Sequence, residues 1–200
     1  MARKNRLLAI VLAFLFASSV VAPSNAYPPG RRITIATSTD MIVVCGKVPI
    51  SIANARPGKI TIKVGTNAPI VVDQKGFTTK LLKVCKCGTH QIKVTSPVWK
   101  GRPDEVATTK LYVPCVEAPK KGPISKKTII RIKDLKPGTV VTITPTHNKK
   151  KVCIILVKVP MKSTSTSITI PAFSFGKGSN NTYTITIGSK IKFNTTFTGT

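Results

Sequence analysis

The sequence predicts an all-β protein with the architecture of a β-sandwich. Val, Ile and Thr dominate short stretches in which apolar and polar residues alternate, and residues 59–64 place Ile60, Ile62 and Val64 on one face. Alternation with period two puts one face of a strand in a core and the other in water. Pro-Gly and Lys-Gly turn signals separate these stretches. Many short strands with regular turns favour two packed sheets.

Further stretches are assigned to strands by their β-branched and apolar content. They are residues 41–44, 91–95, 182–187 and 191–193. Residues 152–157 are continuously apolar, which fits either a strand covered on both faces or a buried helix. Their β-branched content favours the covered strand.

The N-terminus has the pattern of a cleaved signal peptide. Three positive charges precede an apolar run at residues 7–22, and small residues follow at Ser24 and Ala26. This pattern predicts cleavage after Ala26 and a secreted, extracellular product. The alternative is a retained membrane anchor, but the run is shorter than the roughly 20 residues that cross a bilayer. We expect no transmembrane segment after cleavage.

The charge of the chain is strongly positive. It has 32 Lys and Arg against 6 Asp and Glu, a net charge of +26, and loss of residues 1–26 removes three of these basic residues and no acid. Lysine predominates, and it attracts anions as a flexible point charge without reading their geometry. We expect anionic polymers of the cell envelope as low-specificity partners; the alternative is a merely solvated surface. Candidate polyanion-binding residues are Lys120, Lys121, Lys126, Lys127, Lys149, Lys150 and Lys151.

Five cysteines follow the signal peptide, in a compartment where disulfides persist. The number is odd, so one is left over or pairs between chains. Cys85, Cys87 and His90 could begin a zinc site, but the usual thiolate spacing is longer and a fourth ligand is required. We therefore predict no metal and no cofactor. The disulfide candidates are Cys45, Cys85, Cys87 and Cys115.

The sequence predicts a chain built from two related halves. Residues 117–123 mix proline, glycine and charge and form the best linker. The predicted domains are residues 27–116 and a more divergent one at 124–200. Two pairs of segments echo each other across the linker: residues 55–62 with 135–142, and residues 88–96 with 181–189. After the second Pro-Gly the alternation is out of phase by one residue.

The first half resembles bacterial immunoglobulin-like domains of secreted and surface proteins of actinobacteria. The motifs are Pro57-Gly58 before a strand, the hairpin Asp73-x-x-Gly76-Phe77, and Gly88-Thr89 opening a strand. The resemblance covers residues 27–114 well and 124–200 loosely. It implies tandem immunoglobulin-like sandwiches, a fold that serves functions from adhesion to spacing along a stalk.

The resemblance also implies a disulfide pattern, because one bridge of such sandwiches commonly joins the two sheets. It suggests Cys45–Cys87, and then Cys85–Cys115 between a middle strand and the last strand of the domain. Cys153 remains as a buried thiol or as a link to a protein partner. The sandwich faces are the other candidate partner surface.

Nothing in the sequence predicts an enzyme. The two histidines are far apart, the acids are scattered apart from Asp104 and Glu105, and no nucleophile motif accompanies them. We expect a secreted, cationic, non-enzymatic structural or adhesive module on the cell envelope. The alternative is a secreted cationic effector or inhibitor that acts on foreign membranes or nucleic acid.

Overall fold

Two separate hydrophobic cores organise the residues that the structure describes. A computed structural model describes residues 32–74, 76–97 and 104–200. One core gathers apolar side chains between positions 33 and 113, and the other gathers those between 130 and 197. We call residues 32–113 the first sandwich and residues 115–200 the second sandwich. Within these ranges no helix is long and apolar enough to span a bilayer. The predicted signal peptide lies outside the described residues.

The first sandwich has two antiparallel sheets. Its strands are β1 (Thr34–Thr37), β2 (Gly46–Ala53), β3 (Gly58–Val64), β4 (Ile70–Gln74), β5 (Thr78–Val84), β6 (Gly88–Ser96) and β7 (Glu105–Val113). One sheet has the order β1-β2-β5 and the other β4-β3-β6-β7. Met41 adds a parallel bridge to Tyr112 on β7. In the immunoglobulin arrangement the third, sixth and seventh strands form one sheet and the first, second and fifth strands lie in the other. The first sandwich has this arrangement.

The second sandwich repeats this topology. Its strands are β8 (Cys115–Glu117), β9 (Lys121–Gly122), β10 (Thr128–Lys133), β11 (Val140–His147), β12 (Lys150–Lys151), β13 (Ile155–Lys158), β14 (Thr166–Ile170), β15 (Gly178–Ile187) and β16 (Ile191–Gly199). One sheet has the order β8-β10-β14 and the other β12-β11-β15-β16-β9, with β13 also paired to β11. The described residues are therefore all-β, as predicted.

The echoed segments occupy equivalent places in the two sandwiches. Asn54 directly follows β2 and Asp134 directly follows β10, with φ of 59° and 57°. Each precedes a fully buried apolar residue, Ala55 or Leu135. One extra residue, Thr139, separates the second Pro-Gly from β11, and it accounts for the change of phase after the turn.

Three expectations about individual segments are wrong. Residues 41–44 do not form a strand, because only Met41 is paired, in its single bridge. The segment from Asp73 to Phe77 is not a hairpin, because β4 pairs with β3 whereas β5 pairs with β2 in the other sheet. Residues 152–157 are not covered on both faces, because Ile154 and Leu156 are exposed whereas Ile155 packs against the second core.

The predicted linker takes part in both sheets of the second sandwich. Glu117 ends β8, which pairs with β10, and Lys121 begins β9, which runs parallel to β16. Between them the hydroxyl of Tyr183 donates a hydrogen bond to the carbonyl of Pro119. The chain thus crosses from one sheet to the other under a fixed anchor.

Several contacts join the two sandwiches, and residues 32–200 form one compact unit. The ammonium of Lys136 pairs with the carboxylate of Asp40, which raises the pKa of that lysine. The hydroxyl of Thr89 donates to Asp134 at 3.1 Å. Met41 packs against the second core. The junction is therefore held by charge, hydrogen bonding and apolar contact together.

Candidate functional site

The outer surface of the larger sheet of the first sandwich carries a cluster of lysines. Buried isoleucines and valines at alternate positions of β3 and β6 force the intervening side chains outward. The exposed residues include Lys59 and Lys63 on β3, Lys93 on β6 and Lys110 on β7. We call these four residues the lysine face.

The register of the strands brings the lysines together. Lys63 lies directly opposite Lys93, so their Cβ atoms are about 4.5–5.5 Å apart. Lys110 follows two residues after Thr108, the partner of Lys93, and is therefore its diagonal neighbour. Only Lys59 of the four has a cross-strand acid, Asp73. Like charges directly opposite each other destabilise a sheet.

The other sheet of the first sandwich has a similar pair. Lys47 on β2 lies opposite Lys83 on β5, and both side chains are exposed. The two ion pairs found among the described residues lie elsewhere, between Lys133 and Glu117 and at the junction. Within the described residues, Lys47 and Lys83 therefore form no ion pair with an acidic side chain.

The equivalent surface of the second sandwich differs in chemistry. β11, β15 and β16 correspond to β3, β6 and β7 by their order in the sheet. Their outward positions are mostly threonines, and paired examples are Thr142 with Thr186, Thr144 with Thr184, and Thr146 with Thr182. The lysines are therefore concentrated on particular faces instead of being spread evenly over both sandwiches.

The seven lysines predicted from sequence runs are all exposed, but they do not form one patch. Lys150 and Lys151 form β12 at one edge of the six-stranded sheet, and Lys121 begins β9 at the opposite edge. Four strand spacings separate these edges, or roughly 19 Å. Lys126 and Lys127 come directly before β10 in the other sheet, so the three runs lie in separate places. The lysine face was missed because its members are adjacent across strands, not along the chain.

The hairpin that carries Lys149 is rigidly anchored. Asn148 and Lys149 both have positive φ, 48° and 64°, as in a type I′ turn. Nδ1 of His147 lies 2.8 Å from Oδ1 of the buried Asn181, and Nε2 lies 3.0 Å from the amide nitrogen of Asn148. This arrangement assigns the proton to Nδ1, because the Asn148 amide donates to Nε2. Both ring nitrogens of His147 are therefore used in hydrogen bonds that hold the hairpin against β15.

Four cysteines form two disulfides, Cys45–Cys85 and Cys87–Cys115, while Cys153 is a half-buried free thiol. The two expected bridges, Cys45–Cys87 and Cys85–Cys115, are therefore both wrong. The register of β2 with β5 places position 45 opposite 85, within one sheet. The expected position of Cys115 is also wrong, since it begins β8 of the second sandwich. Cys85 and Cys87, which the sequence favoured as half-cystines over zinc ligands, both lie in these bridges.

The fold defines the protein as a pair of immunoglobulin-like sandwiches. The sequence matches no protein-family model and no curated protein. It is similar in structure to the BSP domain of a biofilm associated protein, with 18% identity over 82% of this chain and 30% of that one, at a TM-score of 0.31. It is also similar to the D0-D1 domain of Intimin, with 10% identity over 82% and 97% of the two chains, at a TM-score of 0.32.

A third likeness is to the Yersinia pseudotuberculosis adhesin InvE, with 13% identity over 84% of this chain and 58% of that one, at a TM-score of 0.32. These identities and TM-scores are low. The assignment of the fold therefore rests on the order and register of the strands described above.

Proposed function

We propose that this protein is a secreted, non-enzymatic immunoglobulin-like module of a bacterial surface that attaches to anionic polymers of the cell envelope through the lysine face. The observation that carries the proposal is the direct opposition of Lys63 and Lys93 with Lys110 beside them. Such an arrangement costs free energy in the isolated protein. A bound polyanion would remove that cost.

The shape and chemistry of the lysine face suit a polymer. The side chains project from a sheet surface, so phosphates or carboxylates spaced along a chain can reach several of them at once. Lysine supplies charge without the planar fork by which arginine fixes one anion. Binding of this kind draws its free energy from the release of counterions and shows little preference for sequence.

A non-enzymatic role is supported by the positions of the histidines. Nε2 of His90 lies 2.7 Å from the carbonyl oxygen of Lys86, and His147 is engaged by Asn148 and Asn181. Both rings are thus occupied by hydrogen bonds within the fold. Together with the absence of a nucleophile motif in the sequence, this favours an attachment module.

The proposal is tested by comparing two triple variants for binding to teichoic acid and heparin. Replacement of Lys63, Lys93 and Lys110 by Gln should weaken binding at least tenfold at 50 mM salt. It should also reduce the slope of log affinity against log salt by about 2–3. The matched control replaces Lys149, Lys150 and Lys151 by Gln and should have a smaller effect.

Neutral dextran provides the polymer control and should not bind. Equal losses in the two triple variants would show diffuse attraction and overturn the assignment to the lysine face. Binding to anionic vesicles without binding to the polymers would replace the proposal with the effector function.

A further inference from the structure

A cleft lies between the edge of β16 and the edge of β8, and Val44 and Cys87 of the first sandwich also line it. Its volume is about 820 Å³. Phe193 and Val116 contribute apolar surface, and Lys120 and Lys192 contribute positive charge. The disulfide partner Cys115 forms part of the wall at the junction with the first sandwich.

The backbone edge of β16 is only partly occupied. The N–H of Thr198 donates to the carbonyl of Lys120 at 2.8 Å, and the N–H of Thr200 donates to Gly122 at 3.0 Å. Backbone groups of alternate residues point to the same edge of a strand. The N–H and C=O of Lys192 and Asn194 therefore point to this edge as well. Within the described part of the chain, the pairing of β9 with β16 is confined to positions 198 and 199.

The partial occupation of the edge is fixed by the core. The chain leaves β16 at Pro119, whose carbonyl accepts a hydrogen bond from the hydroxyl of Tyr183. The ring of Tyr183 is fully buried against Phe175 and Phe197, whose centroids are 5.8 and 6.5 Å away. On the N-terminal side of this anchor the chain belongs to β8, which pairs with β10 in the other sheet, so β9 does not continue along β16.

The charges at the cleft are unequal in their availability. Lys133 is held by Glu117 at 2.6 Å, and this lysine lowers the pKa of the carboxyl. Lys120 and Lys192 are exposed and have no ion pair within the described residues. An occupant would thus meet two available ammonium groups beside an apolar floor and a row of open backbone groups.

We infer that this cleft binds an extended acidic peptide segment by adding it as a strand beside β16. Open backbone donors and acceptors are satisfied by another peptide backbone, which is the chemistry of strand addition. Apolar side chains of the segment would face Phe193 and Val116. Acidic side chains would lie near Lys120 and Lys192. A polysaccharide would satisfy the lysines but not the alternating backbone groups.

The experiment uses the full secreted chain and a fluorescently labelled hexapeptide of alternating Val and Glu with blocked ends. Binding of the peptide is measured by fluorescence anisotropy. Two further peptides are methylated on the backbone nitrogens of either the Val or the Glu residues. A strand bonds to one neighbour through alternate residues only. One methylated peptide should therefore bind like the parent, while the other loses at least tenfold in affinity.

Two variants at one position test the edge itself. Pro in place of Asn194 removes a backbone N–H that points away from β15, a place where an edge strand tolerates proline. Ala in place of Asn194 keeps that N–H, and both substitutions remove the same hydrogen bond from Thr184. N194A should bind the peptide normally, whereas N194P should lose at least tenfold while its circular dichroism and melting stay close to those of N194A.

The outcomes separate this cleft from the lysine face. The variant with Gln at Lys63, Lys93 and Lys110 should bind the peptide unchanged, and a peptide of alternating Val and Lys should not bind. Equal binding of both methylated peptides, or of N194A and N194P, would overturn strand addition. Loss of peptide binding in the lysine-face variant would place the acidic peptide on that face instead.

Discussion

Cys87, just before β6 of the first sandwich, is bonded to Cys115, the first residue of β8 in the second sandwich. The bridge therefore crosses the point where the chain passes between the sandwiches, with Pro114 immediately before it. The ion pair of Lys136 with Asp40 crosses the same junction. The first disulfide, Cys45–Cys85, instead joins neighbouring strands of one sheet.

This pattern predicts the products of non-reducing tryptic digestion. Cleavage after Lys86 separates Cys85 from Cys87, so each crosslink appears in its own peptide pair. Mass spectrometry should find residues 33–47 linked to 84–86, and residues 87–93 linked to 111–120. Cys153 should alkylate without prior reduction. Linkage of residues 33–47 to 87–93 would contradict the described pairing and restore the one that the family resemblance implied.

The opposed lysines predict a substitution that stabilises the fold. Replacing Lys63 by Gln removes repulsion from Lys93 and should raise the free energy of unfolding by about 0.2–1 kcal/mol at low salt. Replacing Lys59 by Gln removes attraction to Asp73 on the same face and should not stabilise. Urea denaturation measures both effects.

In 1 M salt the Debye length is about 3 Å, so charges on the surface interact weakly. The difference in free energy of unfolding between these two variants should therefore shrink. A destabilised K63Q at low salt would mean that the lysine stem contributes more through packing than it costs through charge.

Much of the fold follows from the sequence because alternation and turn chemistry are local. The buried residues Ile60 and Ile62 and the turn at Gly188 occur where the pattern places them. Whether both faces of a strand are covered is not decided locally: residues 152–157 have the composition of a strand covered on both faces, yet Ile154 and Leu156 are exposed. The composition of a segment shows that it is apolar but does not show which of its faces is covered.

The candidate site was less accessible from the sequence. Lys63 and Lys93 are 30 positions apart, and only the register of β3 with β6 makes them neighbours. The same applies to the cysteines, since Cys85 and Cys87 differ by two positions but border strands of different sheets. The runs of lysine were visible in the sequence but lie in separate places on the second sandwich. The pairing of residues across strands could not be predicted from the sequence, because it depends on the register of strands that are distant along the chain.

The positive φ of Lys149 predicts that replacing this lysine by Gly stabilises the fold while removing one positive charge. A residue with a Cβ is strained at φ of 64°, and Gly is not, so K149G should raise the free energy of unfolding by about 0.5–1 kcal/mol. Lys150 lies in β12, where Gly weakens a strand, so K150G should be destabilising by a similar amount. Thermal unfolding distinguishes the two. Destabilisation of both variants would mean that the Lys149 side chain stabilises the turn by other contacts.

Tyr183 predicts a loss of stability in alkaline solution. Its burial raises the pKa of the phenol to about 12, compared with about 10 in an unfolded chain. Between these values the unfolded state releases the proton and the folded state keeps it. Because the unfolded state then binds fewer protons, the stabilising contribution is complete below about pH 10 and is lost as the pH rises towards 12.

The measurement is the difference in free energy of unfolding between the natural chain and Y183F, from pH 8 to pH 12, since the lysines titrate equally in both. Y183F lacks the hydrogen bond to Pro119 and should be less stable at pH 8. The difference should narrow above about pH 10, because only the natural chain has a phenol that the unfolded state can ionise. A difference that stays constant through pH 12 would show that the phenol titrates alike in both states, contrary to its burial.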